Sequence, residues 1–344
     1  MKKILVTGGA GYIGSHTVTE LIGSGFIPVI IDNFSNSDAR VLEGLHEILG
    51  QEVILYRYDC SDAVVLREIF RKENPAGVIH FAAFKAVGES VADPMRYYRN
   101  NLGSLISLLE VMQEFGTNNL VFSSSCTVYG QPESNPVTES TPRLPANSPY
   151  GRSKQMCEDI ITDYCVSNPS FRATLLRYFN PIGAHPSGLI GELPYGVPNN
   201  LVPYLTQAAA GIREKLVVFG NDYHTPDGSC IRDYIHVMDL AAAHVSALKY
   251  ITNASPGCAV FNLGQGKGNS VLEVIRTFTE VTGVMVPYEI GARRTGDVEQ
   301  IWADVSKSSA LLNWSAKRTL ADALRDAWRW QNNLSTEWFG VKSK

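Results

Sequence analysis

Tyr150 and Lys154 stand four residues apart in Ser-Pro-Tyr-Gly-Arg-Ser-Lys (148–154), and on a helix that spacing has chemical consequences. Residues four apart share one helical face, so the ammonium can lie beside the phenol. A free phenol has a pKa of about 10 and is a poor base at neutral pH. A cation within roughly 4–6 Å can lower that value by about 1–3 pH units. Tyr150 would then be poised near working pH, where general acid–base catalysis is most efficient. Upstream, the hydroxyl of Ser125 could hold a substrate oxygen in line for the proton. Ser125, Tyr150 and Lys154 are therefore the expected catalytic group. Tyr-x-x-x-Lys by itself is a weak pattern, most often a surface lysine near a half-buried ring, and its weight depends on what precedes it.

What precedes it is Lys-Ile-Leu-Val-Thr-Gly-Gly-Ala-Gly-Tyr-Ile-Gly-Ser-His (3–16). Residues 3–6 read as a buried strand, a short apolar run ended by glycines. From Tyr12 to Leu21 the spacing is helical, with Ile13, Thr17, Val18 and Leu21 toward a sheet. Gly8, Gly11 and Gly14 thus fall at a strand–turn–helix junction. Glycine there permits the tight turn, close approach of the backbone to a pyrophosphate, and close packing of helix on strand. The helix N-terminus offers free N–H groups and partial positive charge to the phosphates. A second strand, Pro28–Ile31, ends in Asp32, eighteen residues beyond Gly14. A carboxylate at that place accepts hydrogen bonds from ribose hydroxyls and repels a 2′-phosphate, which favours NAD over NADP.

Further strands are expected at Val53–Tyr58, Gly77–Phe81, Asn119–Ser123 and Ala173–Tyr178. They alternate with helices at Asp62–Lys72, Met95–Phe115 and Tyr150–Ser167. Such alternation implies an α/β fold, a Rossmann-like doubly wound parallel sheet covered on both faces. Ligands in these sheets lie outside the carboxyl ends of the strands. Asp59, Phe81-Ala-Ala-Phe-Lys85 and Ser123-Ser-Ser125 fall at those ends. Lys85 could be a solvated loop charge, but its position favours a role near cofactor phosphates or ribose. After Asn180 proline and glycine become dense and the alternation stops. Asp233–Ala247 then has helical character and Cys258–Leu263 reads as a strand. The expected division is a cofactor domain of residues 1–180 plus 232–264, and a smaller, discontinuous α/β substrate domain of 181–231 plus 265–344. No internal repeat or low-complexity segment is visible.

Composition fits a soluble enzyme. With 344 residues the chain can bury on the order of 75% of its unfolded surface. Thirty basic and 34 acidic residues are interspersed, so no basic face points to nucleic acid. No apolar run approaches the roughly 18 residues of a membrane span. The six cysteines (60, 126, 157, 165, 230 and 258) show no regular framework and read as reduced cytoplasmic thiols. The seven histidines have no metal-binding spacing, so no catalytic metal is expected.

With these residues in place, the chain resembles the extended short-chain dehydrogenase/reductases, and within them the UDP-galactose (UDP-glucose) 4-epimerases. The resemblance runs from Thr7-Gly-Gly-Ala-Gly-Tyr-Ile-Gly14 to Arg293-Arg-Thr-Gly-Asp297. The narrower signals are Ser123-Ser-Ser-Cys-Thr-Val-Tyr-Gly130, Arg177-Tyr-Phe-Asn180, Pro198-Asn-Asn-Leu-Val-Pro203 and Asp227-Gly-Ser-Cys-Ile-Arg-Asp-Tyr-Ile-His-Val237. It implies cofactor contacts at Tyr12, Ile13, Asp32, Asn33, Asn36, Ser37, Asp59, Cys60, Lys85 and Asn100. Gly8, Gly11, Gly14, Phe81, Ala82, Tyr150, Lys154 and Phe179 complete that set. For the UDP-sugar it implies Ser125, Tyr150, Asn180, Asn200, Leu201, Val217, Phe219, Arg232, Tyr234, Arg294, Asp297 and Ile301. Arginines suit a diphosphate because guanidinium forms paired hydrogen bonds to anionic oxygens.

The implied chemistry is oxidation and re-reduction of sugar carbon 4, with Tyr150 taking and returning the hydroxyl proton and NAD regenerated. UDP-glucose and UDP-galactose are the implied substrates, and galactose metabolism the implied setting. Ile301 falls at the implied sugar-pocket gate. Family members restricted to those two sugars tend to carry tyrosine there, and those admitting N-acetylhexosamines a small residue; isoleucine is neither. Three alternative readings differ from this one at particular residues. A sugar-nucleotide 4,6-dehydratase resembles a pattern with an acid pair after the serines, which Ser125-Cys126-Thr127 lacks. A UDP-N-acetylglucosamine 4-epimerase differs mainly around Ile301. An NAD-binding redox-sensing regulator needs no Tyr150/Lys154 pair. A homodimer is also expected. Leu102, Leu105, Ile106, Leu109 and Val111 on one helix, with Cys157, Ile160, Ile161 and Tyr164 on the other, exceed what one sheet-facing stripe needs.

Overall fold

The chain was described from a computed structural model covering residues 1–294 and 297–334. Thr295 and Gly296 of the Arg293–Asp297 motif, and residues 335–344 of the expected second domain, lie outside the described residues. The first half alternates as β1 (Lys3–Thr7), α1 (Tyr12–Gly23), β2 (Ile27–Ile31), α2 (Val41–Leu49), β3 (Ile54–Tyr56) and α3 (Ala63–Glu73). It continues with β4 (Gly77–His80), α4 (Val87–Ala92), α5 (Pro94–Glu114), β5 (Asn119–Ser125), α6 (Pro149–Ser167) and β6 (Arg172–Tyr178). The second half holds β7 (Asn180–Ile182), α7 (Leu201–Ala209), β8 (Leu216–Phe219), β9 (Ile231–His236), α8 (Val237–Asn253) and β10 (Gly257–Leu263). It ends with β11 (Gly268–Ser270), α9 (Val271–Thr282), β12 (Tyr288–Gly291), β13 (Gln300–Ile301), α10 (Ser306–Leu312) and α11 (Leu320–Asn333).

Seven strands form one sheet in the order β10-β6-β5-β4-β1-β2-β3, and every neighbouring pair is parallel. Parallel strands buried on both faces need apolar residues at both parities, and the two faces divide them cleanly. Leu5, Val29, Ile31, Val78, Leu120 and Phe122 point to the side covered by α3, α5 and α6. Ile4, Val6, Ile79, Val121 and Leu176 point to the side where α8 and Leu21 of α1 lie. The chain builds β2 and β3 on one side of β1 and then crosses to place β4 on the other. That reversal leaves a crevice beyond the carboxyl ends of β1 and β4, where nucleotides bind in such sheets.

The remaining strands form a four-stranded sheet, β11-β9-β13 with β7 on β9, and a pair, β12-β8. Here the helical reading of Asp233–Ala247 is corrected. Residues 231–236 are β9, and the helix begins at Val237 with Met238 N–H donating to His236 Nδ1 at 3.0 Å as its cap. The apolar spacing around Tyr234, Ile235 and Val237 fits a helix, but every residue from 233 to 240 is buried. Periodicity cannot separate strand from helix in such a run. Between sheets, α8 packs against α1, β5 and β6, so it covers the large sheet while β9 belongs to the small one.

The apolar surplus on α5 and α6 is mostly core. Leu105, Leu109, Val111, Cys157 and Ile161 are buried in the cluster these helices make with the sheet. Ile106 is exposed, and Leu102, Ile160 and Tyr164 are partly buried. No helix among the described residues is long and apolar enough to cross a membrane.

Candidate active site

The glycine turn has the geometry that its residue types require. Gly8 has φ of +69°, and a Cβ there would meet the Ala82 nitrogen at 2.9 Å. A Cβ on Gly14 would lie 2.3 Å from the Gly8 carbonyl oxygen, so helix and turn can approach this closely only without a side chain. Gly11 is the N-cap of α1 and makes no side-chain capping bond, which leaves the helix N–H groups to a phosphate. At the end of β2, buried Asp32 accepts from Ala10 N–H at 3.0 Å, Phe34 N–H at 2.9 Å and Ser37 Oγ at 2.8 Å. Asn33 donates to Asp59 at 2.8 Å, which joins the ends of β2 and β3. These residues form a cradle with an acid at its ribose end, and they fit a dinucleotide.

The rest of the cofactor set lies at or near the carboxyl edge. Tyr12 donates to the Gly183 carbonyl at 2.7 Å, and Lys85 lies 6.0 Å from the Tyr12 ring centroid. Asn100 on α5 donates to Asn101 at 2.9 Å, and Asn36 is exposed beside Ser37. Cys60 is buried, and burial pushes its thiol up to about 12, so it packs as an inert neighbour. Ile13 packs with the α8-side core, as does Phe81, while Ala82 packs with the opposite one. Phe179 is buried among Val128, Tyr129 and Ile301.

Ser125 closes β5 and Tyr150 opens α6, where Ser148 caps the helix through Gly151 N–H at 3.1 Å and Pro149 occupies the first turn. The Ser125 hydroxyl accepts from Thr127 N–H at 3.2 Å and Thr127 Oγ1 at 3.0 Å. The electrostatics differ from the expectation. Burial pushes the Tyr150 phenol well above its usual 10 and the neighbouring Tyr178 adds to the rise, while the nearby Ser125 hydroxyl opposes it. Lys154 is buried too, and burial lowers its ammonium to about 8. That ammonium donates to the Ser123 carbonyl oxygen at 2.6 Å and lies 4.8 Å over the Phe122 ring. The shared helical face is as expected, but the protein alone does not place Tyr150 near neutral pH.

The residues expected around a sugar nucleotide gather in two places. Arg232 on β9 and Arg294 both approach Asp297, at 3.9 and 2.6 Å, and Arg294 lies 5.5 Å over the Phe219 ring. Across β13, Arg232 pairs with Ile301, which packs in the same cluster as Cys126, the chain neighbour of Ser125. Val217 and Phe219 lie on β8, while Tyr234 is buried on β9 opposite Asn180 on β7. Asn200 caps α7 and Leu201 starts it. Ile301 is 4% exposed, pairs with Arg232 across β13 and β9, and packs on Phe179, Val128 and Tyr129.

Sequence reasoning missed three contributors. Glu192, in the loop before α7, accepts from Lys85 at 3.0 Å and Asn200 at 2.6 Å, joining a cofactor candidate to a substrate candidate. No periodicity marks a loop glutamate, so no signal was available. His80 and Thr7 bond at 2.7 Å across the ends of β4 and β1, and burial lowers the imidazole to about 3, so it stays neutral. Glu158 continues the Tyr150, Lys154 spacing by four more residues, a signal present in the sequence. Among the described residues no group of histidine, cysteine and carboxylate side chains could hold a metal ion.

Known proteins resemble this chain over nearly its whole length. The family model described as GDP-mannose 4,6 dehydratase matches residues 5–327. A UDP-glucose 4-epimerase of Neisseria meningitidis serogroup B is 52% identical over 333 residues, covering 97% of this chain and 98% of the relative. Among solved structures, the UDP-glucose 4-epimerase of Stenotrophomonas maltophila with bound NAD and formylated UDP-arabinopyranose is 44% identical. It superposes with a TM-score of 0.94 over 96% of this chain and 98% of that one. The Bifidobacterium longum enzyme in complex with NAD+ and UDP is 46% identical, with a TM-score of 0.93 over 96% and 98%.

Proposed function

The chain belongs to the UDP-glucose 4-epimerases, within the extended short-chain dehydrogenase/reductases, and on that premise we propose that it interconverts UDP-galactose and UDP-glucose at carbon 4. It is an NAD-dependent epimerase of UDP-sugars. What supports the substrate reading is Ser125 closing β5 next to the Tyr150 and Lys154 stripe of α6, together with the charged cluster of Arg232, Arg294 and Asp297. Arg232, Arg294, Asn200, Leu201, Val217 and Phe219 would hold the nucleotide diphosphate. Asn180, Tyr234, Asp297 and Ile301 complete the substrate side.

The glycine turn, Asp32, Asn33, Asn36, Ser37, Asp59 and Lys85 would hold NAD, which when bound would supply the hydride acceptor and donor. The chain's residues do the remainder. Ser125 holds the carbon-4 oxygen, and Tyr150 takes its proton and later returns it. The 4-keto sugar is flat at that carbon, so a half-turn with UDP anchored presents its other face. Two arginines on the diphosphate with fewer contacts to the sugar permit that swing. We also propose the two-domain division at Asn180, with residues 232–264 returning to the cofactor side.

The test is to incubate purified protein separately with UDP-galactose, UDP-N-acetylglucosamine and dTDP-glucose and identify products. Expected is UDP-glucose from UDP-galactose without net NADH release. Lower kcat/KM is expected on the acetylated sugar, because Ile301 offers its amide no hydrogen-bond partner. Stoichiometric NADH would indicate a simple dehydrogenase, loss of water a dehydratase, and higher efficiency on UDP-N-acetylglucosamine the other epimerase.

A homodimer through the outer faces of α5 and α6 is proposed as well. Exposed Ile106 and Met156, with the edges of Leu102, Ile160 and Tyr164, are the apolar surface available to it. Light scattering at micromolar concentration is expected to give twice the chain mass. A monomer would remove this pairing.

A further inference from the structure

We infer that Glu158 is a positioning residue for the reaction proposed above, and the inference rests on that reading: Glu158 sets the register of α6 on β5, and through it the contact between the Tyr150 phenol and the Ser125 hydroxyl. Tyr150, Lys154 and Glu158 follow at intervals of four and form one stripe on α6. Each faces one of three consecutive serines of β5. Lys154 donates to the Ser123 carbonyl at 2.6 Å and Glu158 Oε1 accepts from Ser124 Oγ at 2.6 Å, while the Ser125 hydroxyl lies near enough to the Tyr150 phenol to favour its ionised form. The stripe therefore meets the strand at three points, two of them direct hydrogen bonds.

Of the three points, the one at Glu158 is the most firmly held. Glu158 is 2% exposed and takes a paired contact from Arg177, Nε to Oε1 at 2.9 Å and Nη2 to Oε2 at 2.6 Å. Paired guanidinium–carboxylate bonds fix direction as well as distance. Arg177 is the cross-strand partner of Ser124 between β6 and β5, so carboxylate, serine and arginine share one layer. Arg177 reaches further to the Tyr129 hydroxyl at 3.2 Å, and Tyr129 donates to Asn262 on β10 at 2.6 Å. The carboxylate thus refers the catalytic helix to three strands of the sheet. An apolar pair of the same volume often stabilises a core as well as a buried ion pair does, so stability alone gives weak reason for this arrangement. It does remove freedom: a one-residue slip of α6 turns its face by about 100°, which would swing Tyr150 off Ser125 and break all three bonds to Glu158 from Ser124 and the Arg177 guanidinium.

The test uses Ser124→Ala in the NAD-loaded protein, since it deletes one bond to Glu158 and touches no atom of the catalytic group. Glu158→Gln, which keeps the shape and loses the charge, is made alone and combined with it. Misplacement by a fraction of an ångström is expected to lower kcat about tenfold, with KM for UDP-galactose and NAD content within about twofold. The ascending limb of kcat against pH is expected to move upward, because a displaced Tyr150 loses the influence of the Ser125 hydroxyl that favours phenolate. The double variant is expected to be no slower than the worse single one, since both cut the same link. Unchanged kcat and pH profile with only a lower melting temperature would make Glu158 a support of the fold and overturn the assignment. So would additive losses in the double variant. A parent protein inactive on UDP-galactose would overturn the reaction, and this assignment with it; an active parent with an indifferent Ser124→Ala would overturn this assignment alone.

Discussion

Tyr150→Phe is expected to lower kcat on UDP-galactose by about 10²–10⁴, the range for loss of a positioned acid–base group. The substitution keeps the ring, so packing at the start of α6 survives and KM should change little. Removing the hydroxyl forfeits at most one hydrogen bond, about 0.5–1.5 kcal/mol, so the variant should fold. The measurement is kcat and KM by product analysis, with NAD content determined on the same preparation. A fall in kcat with retained NAD and similar KM assigns the proton to Tyr150. Near-normal turnover would point to Lys154 instead, whose ammonium, lowered by burial to about 8, is a buried group on the same face able to exchange a proton near neutral pH.

The parts of this site that were legible in the sequence are those where composition and periodicity coincide. The run at residues 3–6, the glycines at 8, 11 and 14 and the acid at 32 can each be read locally, and β1, α1 and β2 follow within a residue or two. Tyr150 and Lys154 were legible because helical spacing predicts a shared face, and they share one. Their electrostatics were not, because burial is a property of the assembled sheet and works against both charged forms. Nor does a helical wheel show how deep the seam between α5 and α6 runs, which is why Leu105, Leu109 and Ile161 looked like surplus surface and proved to be core. Glu192 lies in a loop and meets Lys85 and Asn200 over sequence distances of 107 and 8 residues; no local pattern encodes such a meeting. β9 was read as helix because a strand buried on both sides carries apolar residues at every parity.

Lys154→Met should separate what the ammonium does for catalysis from what it costs the fold. Burial lowers Lys154 from 10.5 to about 8, and at about 1.4 kcal/mol per pH unit keeping it charged below pH 8 costs the folded state about 3 kcal/mol. Between pH 8 and 10.5 the unfolded chain holds this proton and the folded chain does not, so stability gains from Lys154 as pH rises through that window. Methionine has a similar length and no charge. The variant escapes the cost but leaves the Ser123 carbonyl without its partner, a loss of about 1–3 kcal/mol. At pH 7 the variant should therefore be as stable as the parent or slightly more so. Relative to it, the parent should gain about 3 kcal/mol by pH 10.5. Denaturant melts of both proteins at pH 7 and above pH 10 check this, because the other titrating groups are common to both. Activity should move the other way. The lysine stem is flexible, and on the shared helical face its charge can favour the phenolate by about 1–3 pH units. Without it, kcat at neutral pH should fall by about 10–10³ and recover as pH is raised. If kcat fell without any change in its pH dependence, Lys154 would serve through the Ser123 carbonyl, as an anchor of α6, and the phenol would owe its reactivity to another charge.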